Sequence, residues 1–451
     1  MENFSDSKHF KNINFTLHKG EILGFAGLVG AGRSEVMRAL TAVEKRLSGD
    51  VYLKGKKVHL SNPTDALKHG IGFLTEDRRT DGCALKLDIK TNVNMSSYDM
   101  ISKAGCLNLR KEKKRAEEFS RSVNVKTPSI SQLVGNLSGG NQQKVVIALF
   151  LLATFLTKNF FGSYNLKNLT KQGAIVGVLA VAQTFIIITS GIDISGGAIA
   201  GLGCMTMAMI MNGKGTSMLG IAILANFVVC TLCGFLNGVI IFDLKVPAMI
   251  ATLGTQTIFR GILKLLCNGN SISFFEPDGA TFVKLFDTIG NYDIFGVLPV
   301  LACIWIVVAV IAFLVLRYTV FGRDLFVIGS GIEVARLSGI KVRKTFYLVY
   351  SLAGFVYGIA AIMFAGRILR AMPNTGDGYD MDAIAAAVIG GASLAGGRGA
   401  ITGTFVGTLL MVVIKNAGKA FQINDYILDV ITGALIIFAV AMDMVKSRKK
   451  A

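Results

Sequence analysis

NLSGGNQQKVVIALFLLATFL (residues 136–156) changes character in its middle. Asn136 to Lys144 is polar and glycine-rich, whereas Val145 to Leu156 carries no charge. A soluble motif runs straight into a membrane-like segment, so the chain divides here. Residues 1–144 hold 24 Lys+Arg and 15 Asp+Glu, and the other 307 hold 23 and 14, so charge density falls more than twofold past Lys144. With 52% hydrophobic residues overall, this predicts a small soluble region followed by a long membrane region. The net charge of +18 splits evenly between the two. On the membrane side it gathers in short loops, as the positive-inside bias expects, rather than on a nucleic-acid face.

Upstream, ILGFAGLVGAGRSEVMRAL (22–40) reads as an apolar strand, a glycine turn and a helix. Gly27, Gly32, Arg33 and Ser34 fit G-x-x-x-x-G-K-[ST], with Arg33 in the lysine place and Gly30 within the turn. Such a loop aims backbone N–H groups at phosphate, and its serine can reach Mg²⁺. Arginine keeps the charge but replaces a compact ammonium by a planar fork. RKEKKRAEEFSRSV (110–123) reads as a charged helix, equally a solvated face. The N-terminus lacks an apolar core, so no cleavable signal peptide is expected.

Leu137, Ser138, Gly139, Gly140, Asn141 and Gln142 resemble the signature of ABC-type ATPases, and Glu76 stands where that family's Q-loop has Gln. The resemblance is to the second ATPase half of bacterial monosaccharide importers and covers about residues 10–148. It implies ATP with Mg²⁺ at the Gly27–Ser34 loop. The family also places an Asp-Glu pair and a switch His after the signature. This chain has no Asp-Glu dipeptide, and His9, His18, His59 and His69 all precede the signature. The expectation is a truncated α/β ATPase fragment over 1–148 without autonomous hydrolysis, since phosphoryl transfer depends on metal positioning. Lost strands would leave its parallel sheet with exposed edges.

Beyond Val145, apolar runs with few or no charges predict spans near 145–157, 173–190, 195–211, 218–242, 246–266, 294–316, 345–366, 379–395, 399–417 and 427–443. This is a multi-pass α-helical protein of about nine to ten spans. The basic loop 317–344 and the C-terminal KSRKK should face the cytoplasm, and 268–293 should face outward. That parity puts Lys158, Lys167 and Lys171 outside, against the charge bias. Cys230 and Cys233 sit in an uncharged run and read as packing residues.

IITSGIDISGGAIAG (187–201), GSGIEVARLSGIKV (329–342) and GYDMDAIAAAVIGGASLAGGRGAITGTFVG (378–407) resemble the permeases of ribose/galactose-type ABC importers, and the likeness spans roughly 149–447. It implies a permease domain over 149–451 in a bacterial cytoplasmic membrane, with both termini cytoplasmic. The implied partners are intact ATPase subunits, a second permease copy, a periplasmic or lipid-anchored sugar-binding protein and membrane lipid, without nucleic acid. Rival readings are a non-functional deletion fusion of adjacent genes, a branched-chain amino acid permease and a self-contained ATPase–permease. No catalytic or metal-ligand set emerges. Asp193 caps a break between spans, or lines the transport path. Glu333 and Arg336 fall on a helix that couples to an ATPase, or on a solvated loop. Gln183 and Asn226 read as interhelical bonds, with sugar contact as the alternative. Phe160, Phe161, Phe274 and Phe275 read as interfacial anchors, with stacking on a sugar face as the alternative.

Overall fold

The computed structural model describes residues 1–131 except 7–8, 20, 22, 26–31, 45–46, 72–83, 85–86, 96–97, 99–100, 104, 123–128 and 130. It also describes 163–420 except 295 and 297, together with 427, 430, 433, 434 and 437. The predicted spans 145–157 and, for the most part, 427–443 lie outside the described residues.

In the N-terminal region, β1 (Glu2–Ser5), β2 (Ser48–Leu53) and β3 (Lys56–Val58) form an antiparallel sheet. Helices α1 (Arg33–Leu40), α2 (Pro63–Lys68), α3 (Ile89–Asn94) and α4 (Leu109–Ser122) accompany it, with a two-residue hairpin of β4 (Ser102–Lys103) and β5 (Cys106–Leu107). Phe4, Phe10, Val36, Ala39, Val51 and Leu60 make its small core. Asn62 caps α2 by accepting from Asp65 N, and Asp88 caps α3 by accepting from Thr91 N. One expectation is corrected here. The apolar run before the glycine loop is no strand at residues 23–25, and Leu23 and Phe25 are exposed. All strand pairs among the described residues are antiparallel. A parallel strand without a neighbour has no ladder to join, so this run stays irregular.

The helical body comprises α5 (Ser163–Ile188), α6 (Gly196–Met211), α7 (Leu219–Phe242), α8 (Ala248–Leu266), α9 (Lys284–Asn291), α10 (Val300–Tyr318), α11 (Val320–Ser330), α12 (Ile332–Leu337), α13 (Val342–Ile368), α14 (Tyr379–Ile389) and α15 (Ile401–Ala420). β6 (Ile272–Ser273) pairs with β9 (Arg370–Ala371), and β7 (Asp293–Ile294) with β8 (Leu298–Pro299). Helix α5 is the axis and touches α10, α13, α14 and α15; α13 also packs along α6, α7 and α9. Apolar runs bounded by loop residues set the longer of these helices, so Gly196–Met211 and Leu219–Phe242 end within a residue of the predicted spans.

Among the described residues, four segments are long and apolar enough to cross a membrane: Lys167–Ile188, Gly215–Phe242, Val300–Tyr318 and Val342–Ile368. Helix α6, with 16 residues, and α14, with 11, are shorter. At 1.5 Å per residue they reach about 24 and 16 Å, less than a hydrocarbon core of about 30 Å. The predicted span 379–395 is therefore corrected. It is a half-helix that stops at Ile389, where Gly390 packs its backbone against Gly403 and Gly391 takes a positive φ. Exposed Ile221, Leu224, Leu232, Ile250, Val310 and Ile311 give α7, α8 and α10 an apolar outer face.

Of the three lysines that opposed the charge bias, Lys158 lies outside the described residues and the other two have a partner. Lys167 Nζ lies 2.8 Å from Asp293 Oδ2, and Lys171 Nζ 4.0 Å from Asp293 Oδ1. The Lys167 hydrogen bond, then the charges of both lysines, hold the Asp293 carboxyl below its ordinary value of 3.8. A depressed carboxyl contributes stability above the unfolded value and loses it as pH falls through the lower folded value. Asp293→Asn should therefore lower the unfolding temperature at pH 7, and variant and parent should converge as pH falls through the depressed folded value of Asp293. The single tryptophan, Trp305, reports this by fluorescence, since it is buried on α10 and stacked 4.2 Å from Phe405.

Candidate functional site: two facing helix breaks

Among the described residues, two helix breaks lie inside the bundle. The first break runs from Thr189 to Ser195, between α5 and α6. Ser190 takes a φ of 64° and its hydroxyl donates to Gly329 O and Ala395 O, at 3.3 and 3.2 Å. Thr252 of α8 braces the extended part, accepting from Ile194 N at 3.1 Å and donating to Ile192 O at 3.2 Å. Asp193 is fully buried in this break. Its Oδ1 accepts from Ser195 N at 2.8 Å and Ser195 Oγ at 2.6 Å, and its Oδ2 from Tyr357 Oη at 3.2 Å. Asn237 Nδ2 donates to Ser195 Oγ at 2.8 Å, and Gln183 Nε2 to Tyr357 Oη at 3.3 Å and to the Asp193 carbonyl. The donors form one chain that ends on the carboxyl group, so Asp193 caps the break from four helices at once.

The second break runs from Leu369 to Gly378, between α13 and α14. Leu369 takes a φ of 55°, β9 pairs with β6, and Gly378 enters α14 at a φ of 78°. Arg260 of α8 donates to Thr375 O at 2.6 Å and lies 3.8 Å from Asp377. Gln256 donates to Asp380 Oδ2 at 3.2 Å. Arg260 and Gln256 sit within an apolar helix, and a charge in such a run was the signal that sequence reading passed over.

The breaks meet. A Cβ on Gly197 would fall inside the radius of Gly376 O, one on Gly376 inside that of Gly197 O, and one on Gly201 inside that of Thr375 O. Only hydrogen allows this backbone crossing. The N-termini of α6 and α14 thus converge near Tyr357, in the middle of α13, and their N–H groups lend the crossing positive character. The buried Gln183 Oε1, Asn237 Oδ1 and Tyr350 Oη have no hydrogen-bond partner within the structure.

The other predicted residues lie apart from this crossing. Glu333 and Arg336 pair at 2.8 Å on α12, at the end of the bundle opposite Asp293. Gly32, at a φ of 78°, precedes α1, whose first residues are Arg33 and Ser34. A Cβ at Gly32 would meet His9 O at 3.0 Å. Gly27, Gly30, Glu76 and Leu137, Ser138, Gly139, Gly140, Asn141 and Gln142 lie outside the described residues, as do Phe160 and Phe161. Asn226 donates to Gly358 O at 2.9 Å, an interhelical bond. Cys230 and Cys233 are buried free thiols. Phe274 is not an interfacial anchor: it is buried 4.5 Å from Phe286, because β6 folds it back onto α9.

Comparison with known proteins bears on both regions. Residues 165–440 match the family described as branched-chain amino acid transport system / permease component, and residues 10–154 match the ABC transporter family. The ribose import permease protein RbsC of Bacillus subtilis (strain 168) is 36% identical over 300 residues, which are 66% of this chain and 90% of that protein. RbsC of Escherichia coli (strain K12) is 34% identical over 307 residues, 67% and 93% respectively. The galactose/methyl galactoside import permease protein MglC of the same strain is 31% identical over 331 residues, 70% and 96%. No solved structure matches. The helical body with its two breaks, and the relatives that it covers almost end to end, establish that this chain belongs to the ABC importer permease family, with an ABC transporter region fused ahead of the permease.

Proposed function

We propose that the chain is the membrane permease of an importer for a ribose- or galactose-type monosaccharide, lying in the bacterial cytoplasmic membrane. The carrying observation is the 36% identity across 90% of a ribose import permease. A neutral polyol also suits the crossing, where buried acceptors remain on Gln183 and Asn237 beside helix N-termini. On this reading a binding protein delivers sugar at the Asp293 end, two permease copies form the path, and separately encoded ATPase subunits drive alternating access. The α11–α12 end then faces the cytoplasm, supported by Arg317, Arg323, Arg336, Lys341, Arg343 and Lys344.

We infer further that the N-terminal region, about 1–148, is a degenerate ATPase. It could hold ATP with Mg²⁺ through Gly27, Gly30, Gly32, Arg33 and Ser34, but it has no Asp-Glu pair and no His after the signature to support hydrolysis. The irregular run at 23–25 fits a truncated sheet.

The test is uptake of labelled ribose and galactose in cells that lack only the native permease of such an importer. Restored uptake is the expected result; no uptake from correctly inserted protein defeats the reading. A second reading rests on the family description, which names branched-chain amino acids. Labelled leucine in the same assay discriminates it.

A further inference from the structure

The N-terminal region grips the helical body at the α11–α12 end. Val320 N donates to Gly105 O at 3.0 Å, and Cys106 pairs with Thr319 in an antiparallel bridge at the α10–α11 corner. Tyr98, Ile101 and Leu107 pack with Val320 over this bridge. Beside it, Glu112 of α4 is wholly buried. Its Oε2 lies 3.1 Å from Arg323 Nη2 of α11 and 3.6 Å from Lys90 Nζ of α3. On the other flank α2 touches α12, and Asn62 and Pro63 close a cavity of about 540 Å³ against Arg336 and Lys341. Helices α11 and α12 are therefore held between α2 on one side and α3–α4 on the other.

An exposed ion pair contributes little, but a carboxylate with no exposure is stable only while its partner is in place. Glu112 takes its nearest counter-charge, Arg323, from the helical body rather than from its own region. The two surfaces are thus matched by charge, by backbone pairing and by apolar packing together.

We propose that the N-terminal region is a cap in cis: it occupies, at α11–α12, the seat that a separate ATPase subunit must reach, so the subunit engages only the fraction of chains whose cap is displaced and uptake runs below the rate of an uncapped chain. This rests on the reading above that ATPase subunits dock at this end. A tethered occupant acts at an effective concentration on the order of millimolar, so a free subunit at micromolar concentration competes poorly until the cap is released. Loss of the Glu112–Arg323 contact is one route to release.

The bridge supplies its own test. Residues paired in this way have Cα atoms about 4.5–5.5 Å apart, within the disulfide range of about 4.4–6.8 Å. Thr319→Cys should therefore close onto native Cys106 when membranes are oxidised, and peptide mass spectrometry shows whether it does. Binding of the purified ATPase subunit of the importer is then measured on the same membranes, oxidised and reduced. The expected result is a disulfide in high yield and binding at least tenfold weaker in the oxidised state. Glu112→Arg should bind like the reduced form or better. Absence of the disulfide, equal binding in both states, or failure of Glu112→Arg to bind overturns the cap. The permease reading is judged separately by sugar uptake through the parent chain and through Glu112→Arg, so it can stand while the cap falls, and the cap predicts the faster uptake in Glu112→Arg.

Discussion

Gly197→Val should abolish sugar uptake, by more than tenfold, and reduce the amount of chain that survives in the membrane. Gly197 and Gly376 hold the two helix breaks together through backbone contact, and a Cβ on either would enter the other's carbonyl oxygen. No rotamer change relieves such a clash, because the obstructing atom is main chain. The breaks would have to separate, and Gly201 against Thr375 O one turn along shows that the close approach continues. Overpacking in a tight interior costs about 1–3 kcal/mol where side chains can yield, and more where backbone must move. Gly220→Ala is the control, since nothing lies within 4 Å of a Cβ there. It should transport as the parent does. Uptake per unit of membrane-inserted protein is the measurement, and a Gly197→Val chain that transports normally would show that the crossing is not needed.

How far the sequence announced this arrangement depends on where each signal resides. Spans are local: the charge-free runs 195–211 and 218–242 fall within a residue of Gly196–Met211 and Leu219–Phe242. The first break was legible because Asp193 stands alone between apolar runs. Its partners were not, since Tyr357 lies 164 residues away and a tyrosine in a membrane run carries no label. The second break fell between the predicted spans 345–366 and 379–395 and went unread, although Arg260 and Asp380 marked its surroundings. Glu112 was hidden for another reason. RKEKKRAEEF offers three carboxylates among five cations, and nothing local says that one of them pairs with Arg323, 211 residues on. Lys167 and Lys171 looked like violations of the charge bias only while Asp293 was out of view.

The second large effect concerns the cap of the first break. Asp193→Ala removes the acceptor for three buried donors, Ser195 N, Ser195 Oγ and Tyr357 Oη, and leaves the donor chain from Asn237 and Gln183 without an end. Each orphaned donor costs about 1–3 kcal/mol in a water-free interior, while measured interhelical bonds in membranes average nearer 0.6 kcal/mol. The three are not additive, so a loss of about 2–4 kcal/mol is expected. Asp193→Asn should cost about 1 kcal/mol or less, because its carbonyl still accepts from Ser195 and its amide can donate to Tyr357 Oη, whose hydroxyl can turn. Tyr357→Phe, which removes one donor and keeps the ring, should fall between the two. Thermal unfolding of solubilised protein, followed by Trp305 emission, gives the order Asn, Phe, Ala. Uptake should follow the same order if Asp193 acts by holding the break in shape. If Asp193→Asn instead unfolds normally but fails to transport, the carboxyl group has a direct part in the path, and the structural cap is only half of its role.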